Sequence, residues 1–245
     1  MHVYSQSFFK RVYDQMLDRT SLGPVLSKVG ALKLRKMTVK CQDIKDYVNL
    51  TFSFNLGPLT IKPNQIVGEI TEFLKLLACI KPRALIEIGT ALGGTLFLFS
   101  KVSSSDATII SIDLPGGEFG GGYPDWKTSL FRSFGWGCQR IHLICGDSHD
   151  TSTVFKVKKI RGMRKIDFLF IDGDHSYKGV KRDFEIYSPL VKNGGIVVFH
   201  DIVPGPLEKV GGVPRFWHEI RDKHECLEIV MNWNQGGYGI GLIYM

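Results

Sequence analysis

No apolar run in this chain approaches the ~18 residues that span a bilayer as a helix. The stretch GGIVVF at 194–199 is only strand-sized. The N-terminus, MHVYSQSFFKRVYDQ, lacks the basic-then-apolar order of a secretory signal. A membrane-spanning helix is therefore not expected, and the simplest reading is a cytoplasmic protein. The five cysteines are odd in number and nowhere spaced C-x-x-C, which argues against a disulfide framework and against a cysteine zinc site. No G-x-G-x-x-G occurs, so the phosphate-cradling fingerprint of a nicotinamide dehydrogenase is missing. No Asn-Pro-Pro-Tyr or Asp-Pro-Pro-Tyr loop is present to hold a flipped base. Internal repeats and low-complexity segments are absent as well.

What remains is an ordinary globular composition: 245 residues, 44% apolar and 22% charged. That is enough chain for a full core in one domain. The net charge is +7. Its densest patch, KVKKIRGMRK at 156–165, lacks interleaved aromatics and reads as a solvated helix and turn, so nucleic acid is not the expected partner.

Residues 1–62 differ from the rest and read as an N-terminal helical extension, either a lid over the acceptor or a contact between copies. Phe8, Phe9, Val12, Tyr13, Met16 and Leu17 fall at helical spacing, whereas SLGPVLSKVGALKLRK is ambiguous. Residues 63–245 alternate strand and helix. Ile66, Ile70, Phe73, Leu74 and Leu77 mark a helix face. The strands ALIEIG, ATIISID, RIHLICGD, IDFLFIDGD and GGIVVFHD follow, each succeeded by a helical segment. Near-continuous apolar strands alternating with helices predict a parallel sheet covered on both faces. The last two strands, LEIVMNW and YGIGLIYM, are joined by NQGG, too short for a helical crossover, and should pair antiparallel.

In such a sheet, ligands sit beyond the carboxyl ends of the strands. The first ending runs Glu87-Ile88-Gly89-Thr90-Ala91-Leu92-Gly93-Gly94. Its glycines permit a tight turn and close backbone approach at a helix N-terminus. Its acidic residue suits a cationic ligand rather than a pyrophosphate. Asp113 ends the second strand, twenty residues past Gly93, where a carboxylate can accept both ribose hydroxyls. The third ending, Gly146-Asp147-Ser148, offers a carboxylate and a backbone NH to a purine. Each of these positions could instead serve a turn or a helix cap. Their order along three successive strands is what points to one ligand.

The runs EIGTALGG, SID, GDS, FIDGDHSY and GGIVVFHD resemble class I S-adenosylmethionine-dependent methyltransferases. The similarity is greatest to small-molecule O-methyltransferases of the antibiotic and sugar group, some of whose relatives are labelled cephalosporin hydroxylases. It covers about residues 65–245. It implies a Rossmann-like α/β/α fold with sheet order 3-2-1-4-5-7-6 and an antiparallel last strand. It implies a small-molecule hydroxyl acceptor, such as a sugar, an antibiotic or a phenol. It also implies a divalent metal, Mg²⁺ or Mn²⁺, at Asp172, His200 and Asp201, with His175 as the base three residues after the first ligand. His200 departs from the acidic residue usual there, and histidine is a poor Mg²⁺ ligand. By residue chemistry, Asp172, Asp174, His175, His200 and Asp201 should surround one volume, where carboxylates suit a hard cation and a histidine titrates near working pH. Asp172 should also border the cofactor. Gln65 is a weaker candidate for the methionine end of the cofactor, and Tyr123, Trp126 and Trp217 for the acceptor pocket, aromatics at helical spacing being more often core.

Overall fold

The computed structural model describes residues 14–116, 119, 121–162 and 164–245. Most of the proposed first helix, around Phe8 to Tyr13, lies outside the described residues. The chain then forms α1 (Leu22–Thr38), α2 (Ile44–Ser53), a short hairpin β1 (Asn55–Leu56) and β2 (Leu59–Thr60), and α3 (Val67–Ile80). The central elements are β3 (Ala84–Ile88), α4 (Gly94–Val102), β4 (Thr108–Asp113), α5 (Thr128–Arg132), β5 (Arg140–Cys145), α6 (Thr151–Arg161), β6 (Ile166–Ile171), α7 (Tyr177–Tyr187) and β7 (Val191–His200). The chain closes with α8 (Leu207–Val210), α9 (Val213–Arg221), β8 (Cys226–Ile229) and β9 (Ile240–Tyr244).

The main sheet has seven strands in the order β5-β4-β3-β6-β7-β9-β8. Counted within that sheet, this is 3-2-1-4-5-7-6. The β3–β7 pairings are parallel, and β9 runs antiparallel to both β7 and β8. This is the Rossmann-like methyltransferase fold expected from the sequence. Side chains alternate across it, as a period of two requires. Leu85, Ile109, Phe168, Phe170 and Val198 join one buried cluster; Ile86, Ile110, Leu169, Ile171 and Phe199 join the other. Both faces are therefore dry, which explains why the strands read as unbroken apolar runs.

The ambiguous segment is a full helix, α1. Its buried stripe is Gly23, Ser27, Gly30 and Leu34, small residues that carry little periodic signal. A Cβ on Gly30 would lie 2.2 Å from a Leu59 methyl. Ser27 meets the Ser129 hydroxyl at 2.7 Å and accepts from the Leu130 NH at 3.0 Å. Leu34, Val48, Phe54, Leu59 and Ile61 enter the same buried cluster as the sheet. Of the helix face read from Ile66 onward, Ile66 itself is extended and caps α3, which begins at Val67.

Candidate functional site

The carboxyl ends of β3, β4, β6 and β7 meet at one edge of the sheet. Close packing there depends on Gly89, whose φ is +99°; a Cβ would stand 2.0 Å from the carbonyl oxygen of Asp172. Gly93, with φ +82°, precedes α4 and lies against the Phe131 ring. These two positions need glycine for its left-handed conformation as well as for room. The glycine turn therefore touches the β6 ending directly.

Glu87 does not face this edge. It is fully buried in β3, and its two oxygens accept from Thr95 Oγ1 and Ser111 Oγ, each at 2.5 Å. Ser111 is also 2.5 Å from Thr90 Oγ1. Burial pushes the Glu87 carboxyl up to about 8, although both hydroxyls oppose the shift. Glu87 thus anchors the base of the turn. Asp113 is buried as well, and burial raises its pKa. Its oxygens accept the backbone NH groups of Ala91 at 2.6 Å and Gly122 at 2.8 Å, tying the glycine turn to the loop after β4. The backbone groups of Leu114 and Thr90 act on the same carboxylate and, with those of Ala91 and Gly122, favour its charged form against its burial.

Beyond β5, a Cβ on Gly146 would come 3.0 Å from Thr153 Oγ1. Asp147 accepts from the His149 NH at 2.8 Å and remains partly exposed. The Ser148 hydroxyl is turned inward, 2.6 Å from Asp183 Oδ1. His149 Nε2 approaches the same oxygen at 3.2 Å, and the Tyr187 hydroxyl donates to the Ser148 carbonyl at 2.7 Å. Asp183 has no exposed surface, and its Oδ2 is without a partner among the described residues. The sequence reading missed Asp183. Its signal was a carboxylate within the apolar stripe Val180–Asp183–Tyr187 of α7.

The β6 and β7 endings bring Asp172, His175, His200 and Asp201 together. Asp172 Oδ1 lies 3.1 Å from His200 Nδ1 and 3.3 Å from His175 Nε2. Asp201 Oδ2 lies 3.4 Å from His175 Nδ1 and 3.5 Å from His200 Nδ1. Gln65 Nε2 reaches Asp172 Oδ2 at 3.3 Å. His175 Nδ1 is 2.6 Å from the Lys209 carbonyl, and the Phe119 ring stacks on the imidazole at 5.2 Å. Asp201 takes a left-handed φ of +61°, and its Oδ1 accepts from the Tyr238 NH at 2.8 Å. A non-glycine residue in that region is strained, and such strain clusters at functional sites. Asp174 stands apart: it accepts from the Ser176 NH at 2.8 Å and packs against Gly179, which shapes the start of α7.

Charge pairing governs this cluster. Burial alone would raise the Asp172 carboxyl, but the His200 charge and the hydrogen bonds from His175 and His200 outweigh it, and the group stays far below the ordinary carboxylate range. Burial would likewise lower the His175 imidazolium. Its bond to Asp172 and the charges of Asp172 and Asp201 prevail, pushing it up to about 9. His200 shifts upward for the same reason. Asp172, His175 and Asp201 each offer a donor atom within 4.8 Å of the others. Two carboxylate oxygens and one imidazole nitrogen fit a borderline divalent ion better than Mg²⁺. His200 backs Asp172, and its Nε2 is buried without a partner among the described residues.

Glu69, which the sequence reading also missed, holds the far wall. It is buried in α3 and accepts from the backbone NH groups of Met231 and Gly239 at 3.0 Å and from Gln235 Nε2 at 2.8 Å. It thereby fixes the loop that carries Tyr238 against Asp201. Trp126 and Trp217 are core: Trp126 packs on Gly23, and Trp217 on Phe199 while donating to Glu228 at 2.6 Å. Tyr123 packs edge-on against Phe131. Tyr-x-x-x-Lys spacings occur at Tyr123–Lys127 and Tyr177–Lys181. Lys127 lies over the Trp126 ring and Tyr123 against Phe131, while Tyr177 and Lys181 both close on Glu219.

The Bacillus cereus O-methyltransferase, solved in complex with S-adenosylhomocysteine, superposes with a TM-score of 0.56 at 17% identity, over 84% of this chain and 93% of that one. The O-methyltransferase TomG of Streptomyces achromogenes, involved in tomaymycin synthesis and solved with S-adenosylmethionine, gives 0.54 at 17% identity over 87% and 94%. At such identities the likeness establishes the fold. Among curated proteins, "Uncharacterized protein R132" of Acanthamoeba polyphaga mimivirus is 56% identical over 36 residues, which is 15% of this chain and 16% of that protein. The family described as "Methyltransferase domain" matches residues 86–202, a span that begins in β3 and ends just past Asp201. Glycine turn, Asp113, the β5 ending and the Asp172–Asp201 cluster all fall within it, so the stretch that resembles a methyltransferase domain is the one that carries the candidate site.

Proposed function

We propose that this protein transfers a methyl group from S-adenosylmethionine to a hydroxyl oxygen of a small molecule. The observation that carries the proposal is the convergence of Asp172, His175, His200 and Asp201 directly beside the glycine turn at Gly89. Fold alone would not separate this reading from other chemistries. When bound, S-adenosylmethionine supplies an electrophilic methyl on a sulfonium. Gly89, Gly93 and the start of α4 bind its amino acid end, with Glu87 holding the turn from beneath. Asp113 accepts from the ribose, and Gly146, Asp147 and Ser148 receive the adenine. Asp172 borders both the cofactor and the acceptor.

His175 would take the acceptor's proton on Nε2; the acceptor oxygen would gain the methyl as the bond from that carbon to the sulfonium sulfur breaks, and S-adenosylhomocysteine would leave. Alignment supplies most of the acceleration. With two carboxylates beside it, the imidazole holds its proton at neutral pH and becomes a base as the pH rises toward 9. Asp172, His175 and Asp201 would hold a divalent ion, which would add Lewis acidity toward the acceptor oxygen. Because Nδ1 faces the Lys209 carbonyl, Nε2 can serve as base or as metal ligand but not as both, and chelator distinguishes the two roles. The ligand set implied by resemblance, with His200 in place of His175, differs only in which imidazole completes it.

The primary test is thermal denaturation with S-adenosylhomocysteine, with NAD⁺ as control. At about 100 times its Kd the ligand should add roughly 2.7 kcal/mol, which for a chain of this size raises Tm by roughly 5–10 °C. A rise with NAD⁺ alone would refute the proposal.

A further inference from the structure

A second cavity, about 1150 Å³ in volume, opens between α1, the start of α2, the second half of α4 and the segment at 129–137. It shares no lining residue with the Asp172 cluster, and its α4 residues Phe97 and Lys101 lie toward the end of the helix remote from the glycine turn. Its walls are apolar and aromatic: Leu32, Leu34, Val39, Phe97, Phe134 and Trp136. The Trp136 ring is fixed in place by its NH, which donates to the Ser100 carbonyl at 2.7 Å.

Three cations line this cavity, Lys28, Arg35 and Lys101, and no carboxylate does. Among the described residues none of the three forms an ion pair. Asp43 and Asp46, close enough to Cys41 to raise its thiol, spend oxygens on the start of α2, where they accept the backbone NH groups of Asp46 and Gln42. The Lys101 ammonium donates to the Phe134 carbonyl and sits 4.9 Å over the Phe97 ring. Burial lowers its pKa to about 8. A half-buried cation with no ion-pair partner among the described residues is costly, and an incoming anion would relieve it.

The outer face of α1 continues the cavity mouth. Leu22, Val25, Val29, Leu32 and Val39 are exposed at alternating three- and four-residue steps, interrupted at the Lys36 position. From Leu22 to Gln42 there are five cations and no acid. Pairing this face with a second copy would set Lys28 and Arg35 against like charges, which disfavours a homodimer there.

We infer that the cavity is a second ligand site, for an amphiphile carrying one anionic group on an apolar body. The apolar body would lie along Leu32, Phe97 and Trp136, and the anionic group would meet Lys101 and Arg35. The volume exceeds what a drug-sized ligand needs, roughly 300–1000 Å³.

The test is calorimetric titration of the full chain with dodecanoate below its micelle concentration, with dodecyltrimethylammonium as the cationic control. Dodecanoate should bind at least tenfold more tightly than the cation. Lys101→Met and, separately, Arg35→Gln on the exposed helix should each weaken dodecanoate about tenfold and leave S-adenosylhomocysteine binding unchanged. Arg35→Gln keeps the test open if Lys101→Met fails to fold. Equal affinity for the two detergents, no binding of either, or full dodecanoate affinity in both folded variants would overturn the inference. Two further results would also overturn it. One is sedimentation with phosphatidylglycerol vesicles without binding of free dodecanoate, which would assign the face to a lipid surface. The other is a concentration-dependent dimer that Arg35→Gln strengthens, which would assign it to a second copy.

Discussion

Glu87→Gln should remove a pH dependence of stability that the wild-type protein carries. The Glu87 carboxyl is wholly buried and lies at about 8, against an ordinary value of 4.5. The folded state therefore retains a proton that the unfolded chain has already released above about pH 4.5. Stability from this group is complete below that pH and is lost as the pH rises through 8. At about 1.4 kcal/mol for each tenfold change in proton affinity, the full loss amounts to at most about 5 kcal/mol. Glutamine has the same shape and no charge to bury. Its carbonyl can accept from Thr95 Oγ1, its amide can donate to Ser111 Oγ, and the serine hydroxyl can turn to Thr90. The assay is Tm at pH 5 and pH 9 for both proteins. Asp113 and Asp183 are also raised by burial and contribute with the same sign, so the difference between the two proteins isolates Glu87. At about 2–4 °C per kcal/mol, the wild-type Tm should fall by roughly 10 °C more than that of the variant. Parallel curves would refute the reasoning, because they would mean that Glu87 is ionised inside the folded protein.

His175→Ala should cut turnover by roughly two orders of magnitude or more, the range of a lost general base, with S-adenosylhomocysteine affinity intact; in the wild type, turnover should climb as the pH rises toward 9, where the imidazole gives up its proton. If a divalent ion is bound at His175, chelator will abolish activity and Mn²⁺ will restore it. Gly89→Ala forces a Cβ to within 2.0 Å of the Asp172 carbonyl oxygen at a φ of +99°; it should destabilise the fold by about 3 kcal/mol or more in urea unfolding, and an unchanged midpoint would show that the two loops are not in contact. Asp183→Asn removes the charge that holds Ser148 and His149; it should weaken S-adenosylhomocysteine binding about tenfold, the worth of a charged hydrogen bond, while the affinity for a methyl acceptor is retained.

Most of the architecture was legible before any coordinate. The β3 to β7 runs are apolar because both sheet faces are covered, and that local pattern announced the strands and their parallel pairing. The NQGG joint is too short for a crossover, and β9 is antiparallel as a result. The helices α1 and α2 were less legible. Gly23, Ser27 and Gly30 are buried because they are small, not because they are apolar, so periodicity does not register them.

Chain order likewise named the residues at each strand end, since a parallel sheet delivers successive carboxyl ends to one edge. What they do there depended on tertiary packing. Glu87 lies on the same sheet face as Asp113, but it pairs with Ser111, two residues short of Asp113, so its side chain meets Thr95 and Ser111 inside the fold and not the loops at the edge. Glu69 and Asp183 occupy apolar-stripe positions in α3 and α7, and only the assembled fold shows what their carboxylates hold. The sequence by itself determined which strands form, how they pair and which loops share an edge, because those follow from local periodicity and connection length. The partners of each charge, the shifted proton affinities of Glu87 and His175, and the basic cavity beside α1 were decided by tertiary structure alone. Burial and through-space distance between remote segments set them, and neither quantity is written in the order of residues.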